Sequence, residues 1–129
     1  MLYELTYIEN NDHLQILFSG RFIDGDVLAL WREIVGYLET HCHKRILIEE
    51  QPGTVGQLKT LEVFEAARFI AESRVARGTK IALLYQAGVT SETYQQAVFG
   101  ETVAVNRGLF FRVFNSPEAA NNWLFFNNT

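Results

Sequence analysis

Hydrophobic and polar positions change period several times along this chain, and each change marks an element. From Tyr3 to Glu9 they alternate, with Tyr3, Leu5 and Tyr7 on one side and Glu4 and Thr6 on the other. That period of two predicts a half-buried strand. Asn10-Asn11-Asp12-His13 is turn chemistry, because short polar side chains bond their own backbone. Leu14-Gln15-Ile16-Leu17-Phe18 predicts a second strand and completes an opening hairpin. After Gly20-Arg21-Phe22-Ile23 the period lengthens. Val27, Leu30, Trp31, Ile34, Val35 and Leu38 form the stripe of a core-facing helix. Asp24 is its expected N-cap, Asp26 favours its positive end, and it should run to about His41.

The run Ile46-Leu47-Ile48 is apolar on successive residues, which predicts a strand buried on both faces. Thr60 is the expected cap of the next helix, with Phe64, Ala67, Ile70, Ala71 and Val75 facing inward and Gly78 at its end. Thr54 is a competing start, disfavoured because Gly53 and Gly56 would weaken a first turn. Residues 81–85 supply another buried strand. Thr90 or Ser91 then caps a helix that turns Tyr94, Ala97, Val98, Thr102 and Val105 inward and is closed by Gly108 in the left-handed conformation. Residues 110–114 form the last strand. Ser116-Pro117-Glu118 opens a final helix with a cap, a proline at the first position and an early acid, and Ala119, Ala120, Trp123 and Leu124 face inward. The order β-β-α-β-α-β-α-β-α predicts one α/β domain over residues 1–129. An N-terminal β-hairpin is followed by a right-handed βα succession, giving a mixed five-stranded sheet packed by four helices.

Composition narrows the partners. Fifteen Asp and Glu against eleven Lys and Arg give a net charge of -4, and the arginines are dispersed along the chain. This repels a phosphate backbone, so nucleic acid is not expected as a partner. A single cysteine, Cys42, excludes an intrachain disulfide and suits a reducing compartment. The amino terminus lacks the pattern of a signal peptide and no apolar run approaches membrane-spanning length, so a cytoplasmic protein without membrane insertion is expected.

The element order, together with the unit Phe111-Arg112-Val113-Phe114-Asn115-Ser116-Pro117-Glu118-Ala119-Ala120-Asn121-Asn122-Trp123-Leu124, resembles the STAS-like fold of sulphate transporter and anti-sigma factor antagonist domains. In particular it is similar to small bacterial proteins related to the sporulation anti-sigma factor antagonist. The likeness in order spans nearly the whole chain, and the likeness in sequence spans its last quarter. Phosphorylation-switched antagonists resemble one another in an Asp-Ser-Ser-Gly motif after the third strand. Here that place reads Glu49-Glu50-Gln51-Pro52-Gly53-Thr54-Val55-Gly56, so the motif is absent and the switch does not carry over. The resemblance implies a partner-contact corner at residues 51–59 and the start of the following helix. Its candidate contacts are Gln51, Thr54, Lys59 and Thr60.

The residues that bear chemistry are few. Thr54 and Thr60 lie where a helix amino terminus would favour an anion, with Lys59 nearby, but a cap and a turn residue account for them more simply, because threonine caps are common. His41-Cys42-His43 offers three adjacent ligands that point apart, with no second pair to complete a tetrahedral site, so no metal is expected. Cys42 reads as a half-buried structural thiol, because no base is held beside it. Asp24-Gly25-Asp26 lacks the later ligands of a calcium loop, and Gly53-Thr54-Val55-Gly56 lacks the lysine of a P-loop. Glu49 and Glu50 should point to opposite faces of their strand, as solvated acids rather than a catalytic pair. Among the closing aromatic residues, Phe125 or Phe126 is a candidate for exposure and self-association into a homodimer.

These residues predict a non-enzymatic, cytoplasmic STAS-like module with no catalytic residue and no cofactor. It is expected to act through contacts with an unidentified protein partner, with a regulatory role. The alternative is a small-molecule or lipid carrier, because this group also resembles the CRAL-TRIO fold in its βα core. An apolar small molecule would need a cavity between sheet and helices, for which a filled core in 129 residues is expected to leave little room.

Overall fold

A computed structural model describes residues 2–74, 78–86 and 88–126. Along the described residues run β1 (Tyr3–Glu9), β2 (Leu14–Phe22), α1 (Asp26–Thr40), β3 (Arg45–Glu50), β4 (Val55–Gly56), α2 (Thr60–Glu72), β5 (Lys80–Leu84), α3 (Ser91–Asn106), β6 (Phe110–Phe114) and α4 (Pro117–Phe126). The strands form a mixed sheet in the order β1-β2-β3-β5-β6. The β1–β2 pair is antiparallel, and β2, β3, β5 and β6 are parallel neighbours. The fold is α/β and opens on the hairpin, as the periodicity predicts. It differs in carrying a sixth strand: two-residue β4 pairs with the end of β2 through Arg21↔Val55 and Phe22↔Gly56. Such a short pairing leaves no periodic signal.

The sheet separates two apolar layers. On one face, Leu14, Ile16, Ile46, Ile48, Ile81 and Leu83 pack against α1, α2 and α3 in the main core. On the other, Leu47, Ala82, Leu84 and Phe114 are covered by Ala120, Trp123 and Leu124 of α4. Burial on both faces explains why β3 and β5 read as unbroken apolar runs rather than alternating ones. The last carbonyls of α4 are held by cations from the strands beneath. Lys80 Nζ donates to Trp123 O at 2.9 Å, and Arg45 Nε donates to Leu124 O at 3.2 Å. Cations at a helix carboxyl end satisfy orphan acceptors and complement the dipole. At the β6 edge, Val113 N–H donates to Glu101 Oε1 at 2.6 Å, so α3 occupies a backbone donor that would otherwise invite another strand.

The caps partly follow the sequence. Thr90 Oγ1 accepts from Thr93 N–H at 3.2 Å, Ser116 Oγ accepts from Ala119 N–H at 3.3 Å, and Gly108 takes φ 92° after α3. The expected Asp24 cap is replaced: Gly25 stands at the N-cap of α1 with φ 88°, and its N–H donates to Glu62 Oε1 at 2.6 Å. Thr60 is likewise not a cap, since Lys59 precedes α2 and Thr60 is its first residue. That helix ends at Glu72, before Gly78, and Val75 lies outside the described residues.

Two helices are rotated from the expected phase. On α2, Val63 and Ala66 join Ala67 and Ile70 inside, and Phe64 is only half-buried. On α3 the buried residues are Ala97, Gly100 and Ala104, whereas Thr102 and Val105 are exposed. The cause is a close helix pair: a Cβ on Gly100 would lie 2.8 Å from Val63 Cγ1. A seam that tight is filled by the smallest residues, while periodicity arguments weight the largest ones.

Candidate functional site

The carboxyl ends of β2, β3 and β5 open into a cavity of about 540 Å³. This is where open α/β sheets usually meet their ligands. The volume is well above the ~30 Å³ share of one water and within the ~300–1,000 Å³ of small-molecule sites. Its inner wall is apolar and aromatic. Phe18 and Phe22 come from β2, Ile48 and Leu83 rise from the central strands, Leu30 and Trp31 project from α1, and Tyr85 follows β5. Exposed Pro52, Gly53, Gly88 and Thr90 also border it, so the space opens to solvent between those two segments. A second void of about 50 Å³ lies deeper under α2 and α3, and Trp31, Leu83 and Tyr85 border both. The expectation that a chain of this length leaves little room for a cavity is therefore wrong.

The excursion between β3 and α2 is built by backbone bonds from the sheet. Gln51 N–H donates to Phe18 O at 2.8 Å, which extends the β2–β3 pairing by one step. Thr54 Oγ1 donates to Gln51 O at 2.6 Å and its N–H reaches the same oxygen at 3.3 Å, closing a turn. Gly56 has φ 149°, and a Cβ there would meet Phe22 Cβ at 2.8 Å, so only glycine lets β4 lie against β2. The Thr54 hydroxyl is thus engaged in the turn, which fits the plain reading of that residue.

Of the four candidate contact residues, Gln51 and Thr54 border the cavity and the other two do not. Lys59 Nζ pairs with Asp24 Oδ1 at 2.6 Å on the surface, and that carboxylate raises the lysine above its usual range. Thr60 exchanges hydrogen bonds with the Gln96 side chain, tying α2 to α3. Phe125 and Phe126 sit on the opposite side of the sheet. Phe125 is half-buried against His13 and beneath Arg45, and Phe126 is 77% exposed.

The two acids of β3 part company, as alternation requires. Glu49 accepts from Gln15 Nε2 at 2.6 Å. Glu50 borders the cavity, where its Oε1 accepts from Gln86 N–H at 3.2 Å. Burial holds its carboxyl above the usual range against that hydrogen bond, so Glu50 is a half-buried acid and not the solvated strand-end residue expected. Cys42 corrects another expectation: the thiol is exposed. Among the described residues no group of three or more His, Cys, Asp or Glu is placed to hold a metal ion. No helix among them is long and apolar enough to cross a membrane.

Sequence reasoning passed over Trp31, Leu83 and Tyr85 as lining residues because they read as ordinary core. Tyr85 carried the one usable signal, a phenol directly after a strand that the sheet buries. No protein-family model matches this sequence, and no curated protein matches it either. The geometry defines an α/β domain with a small-molecule-sized apolar cavity at the ends of its parallel strands.

Proposed function

We propose that the protein binds a small, predominantly apolar molecule in the cavity at the carboxyl ends of β2, β3 and β5. The observation that carries this reading is the cavity itself. Interiors pack at crystal-like density with few voids larger than a water, so about 540 Å³ of lined space is not a packing defect. Titration with N-phenyl-1-naphthylamine, an uncharged apolar dye that brightens in dry surroundings, tests it. Saturable uptake with one site per chain is expected. Leu30→Trp, which projects a larger ring from α1 into the space, should weaken uptake by about tenfold or more with an unchanged far-ultraviolet spectrum. Equal uptake by both proteins would sink the proposal.

A second reading rests on a different observation. Val55 and Leu61 are 55% and 67% exposed at either end of the corner formed by residues 55–61. We infer from these unpaired apolar side chains a contact with a partner protein, in the manner of the STAS-like regulatory modules the chain resembles. Affinity capture from host lysate should recover a defined protein with the wild type and lose it with Val55→Asp/Leu61→Asp. Identical captured sets would remove this surface from consideration.

A further inference from the structure

Polar groups without protein partners in the cavity wall indicate what kind of molecule it takes. Tyr85 is 8% exposed, and among the described residues its hydroxyl makes no hydrogen bond. That hydroxyl is not sealed off either. Among the described residues, the side-chain polar atom that is both sealed from solvent and unpaired is Tyr7 Oη, under the Tyr37 ring. The Tyr85 hydroxyl therefore keeps open surface; Tyr85 borders both the cavity and the smaller void, and Glu50, whose charge bears on that hydroxyl, borders the cavity. The indole N–H of Trp31, in the same wall, also lacks a partner among the described residues. Glu50 supplies the complementary group, since Gln86 N–H occupies Oε1 and leaves Oε2 without a hydrogen bond. A buried donor or acceptor left unmade is costly, so a ligand that completes these groups gains what the free protein lacks.

Charge narrows the choice further. Among the described lining residues, Glu50 is the single carboxylate and there is no lysine, arginine or histidine. Lys59, the cation of the neighbouring corner, is committed to Asp24 and does not border the space. An anionic head would face Glu50 with no counter-charge. Burial, and secondarily Glu50, push the Tyr85 hydroxyl up, so it stays a donor at physiological pH.

We propose that the cavity selects an uncharged apolar molecule ending in a hydroxyl, whose oxygen accepts from Tyr85 and whose proton is donated to Glu50. This rests on the cavity reading above and assigns its ligand class. The aromatic wall around these groups receives the apolar body.

Displacement of N-phenyl-1-naphthylamine by matched ten-carbon competitors at pH 7.5 tests the assignment. 1-Decanol should displace the dye at roughly tenfold lower concentration than decanoate, as an uncompensated like charge requires, and at lower concentration than decylamine. Glu50→Gln keeps an acceptor for Gln86 N–H and should bring decanol and decanoate within about threefold of each other. Tyr85→Phe should weaken decanol about five- to tenfold relative to the dye affinity of the same variant, the loss expected of one buried hydrogen bond. The wild-type comparison alone is decisive if either variant folds poorly. Decanoate equal to decanol, decylamine tighter than decanol, or gaps unmoved by both substitutions would overturn the hydroxyl assignment while leaving the cavity reading in place. No dye uptake by the wild type, or uptake unaltered by Leu30→Trp, would overturn both.

Discussion

Alanine at position 20 is expected to lower the midpoint of thermal unfolding by roughly 10–20 °C, the equivalent of about 3–5 kcal/mol for a domain of this size. Gly20 lies near the end of β2, opposite Tyr3, with φ 111°. An L side chain resists that backbone conformation at a cost of about 1–3 kcal/mol. A Cβ there would also collide with the Leu2 carbonyl oxygen and stand 2.7 Å from Tyr3 Cα. Both are backbone atoms of the neighbouring chain segment, and neither can swing aside like a side chain. Relief requires β1 to withdraw, which breaks the bond from Arg21 N–H to Leu2 O at 2.8 Å and the register beside it. Gly36 in α1 is the matched control, because nothing lies near its Cβ position and its φ is not positive. Gly36→Ala should stabilise the helix by about 0.5–1 kcal/mol. Melting curves followed by circular dichroism decide the matter, and a Gly20→Ala midpoint within about 2 °C of wild type would show that the close approach does not exist.

Leu124→Ala should cost about 3–5 kcal/mol, measured by urea titration. Leu124 is 1% exposed and is among the largest side chains fully enclosed in the molecule. It sits with Ala120 and Trp123 over Leu47, Ala82 and Leu84, the apolar layer on the α4 face of the sheet. Truncation removes the transfer energy of the lost methyl groups and leaves a void that the two central strands cannot close. Partial release of α4 would also strip Lys80 and Arg45 of the carbonyls they hold. Phe126→Ser, two residues on and mostly exposed, should stay within about 0.5 kcal/mol of wild type. A Leu124→Ala loss below about 1 kcal/mol would mean that α4 is an ornament on the sheet and not part of its core.

Much of this architecture is legible from residue order. Alternation located β1, unbroken apolar runs located β3 and β5, and the Ser116-Pro117-Glu118 start located α4. Where the reading fell short, a tertiary contact overrode a local signal. The second strand was expected over residues 14–18, yet β2 continues to Phe22 because Leu2 and β4 pair with it. Thr102 and Val105 were expected on the inner face of α3, yet Ala97, Gly100 and Ala104 are its buried residues. The corner at residues 51–59 and the start of the next helix were recognised as the place to look, while two of the candidate contacts there, Lys59 and Thr60, turned out to tie neighbouring elements together.

The sequence by itself determined the α/β class and the hairpin-first order of elements, because periodicity and caps act over a few residues. Only the tertiary structure decided that the strand ends border an aromatic-walled cavity. A residue lining a cavity and a residue filling a core carry the same apolar signature. What separates them is whether facing elements far apart in the chain meet or leave space between them, and the lining here is drawn from β2, α1, β3 and β5 together.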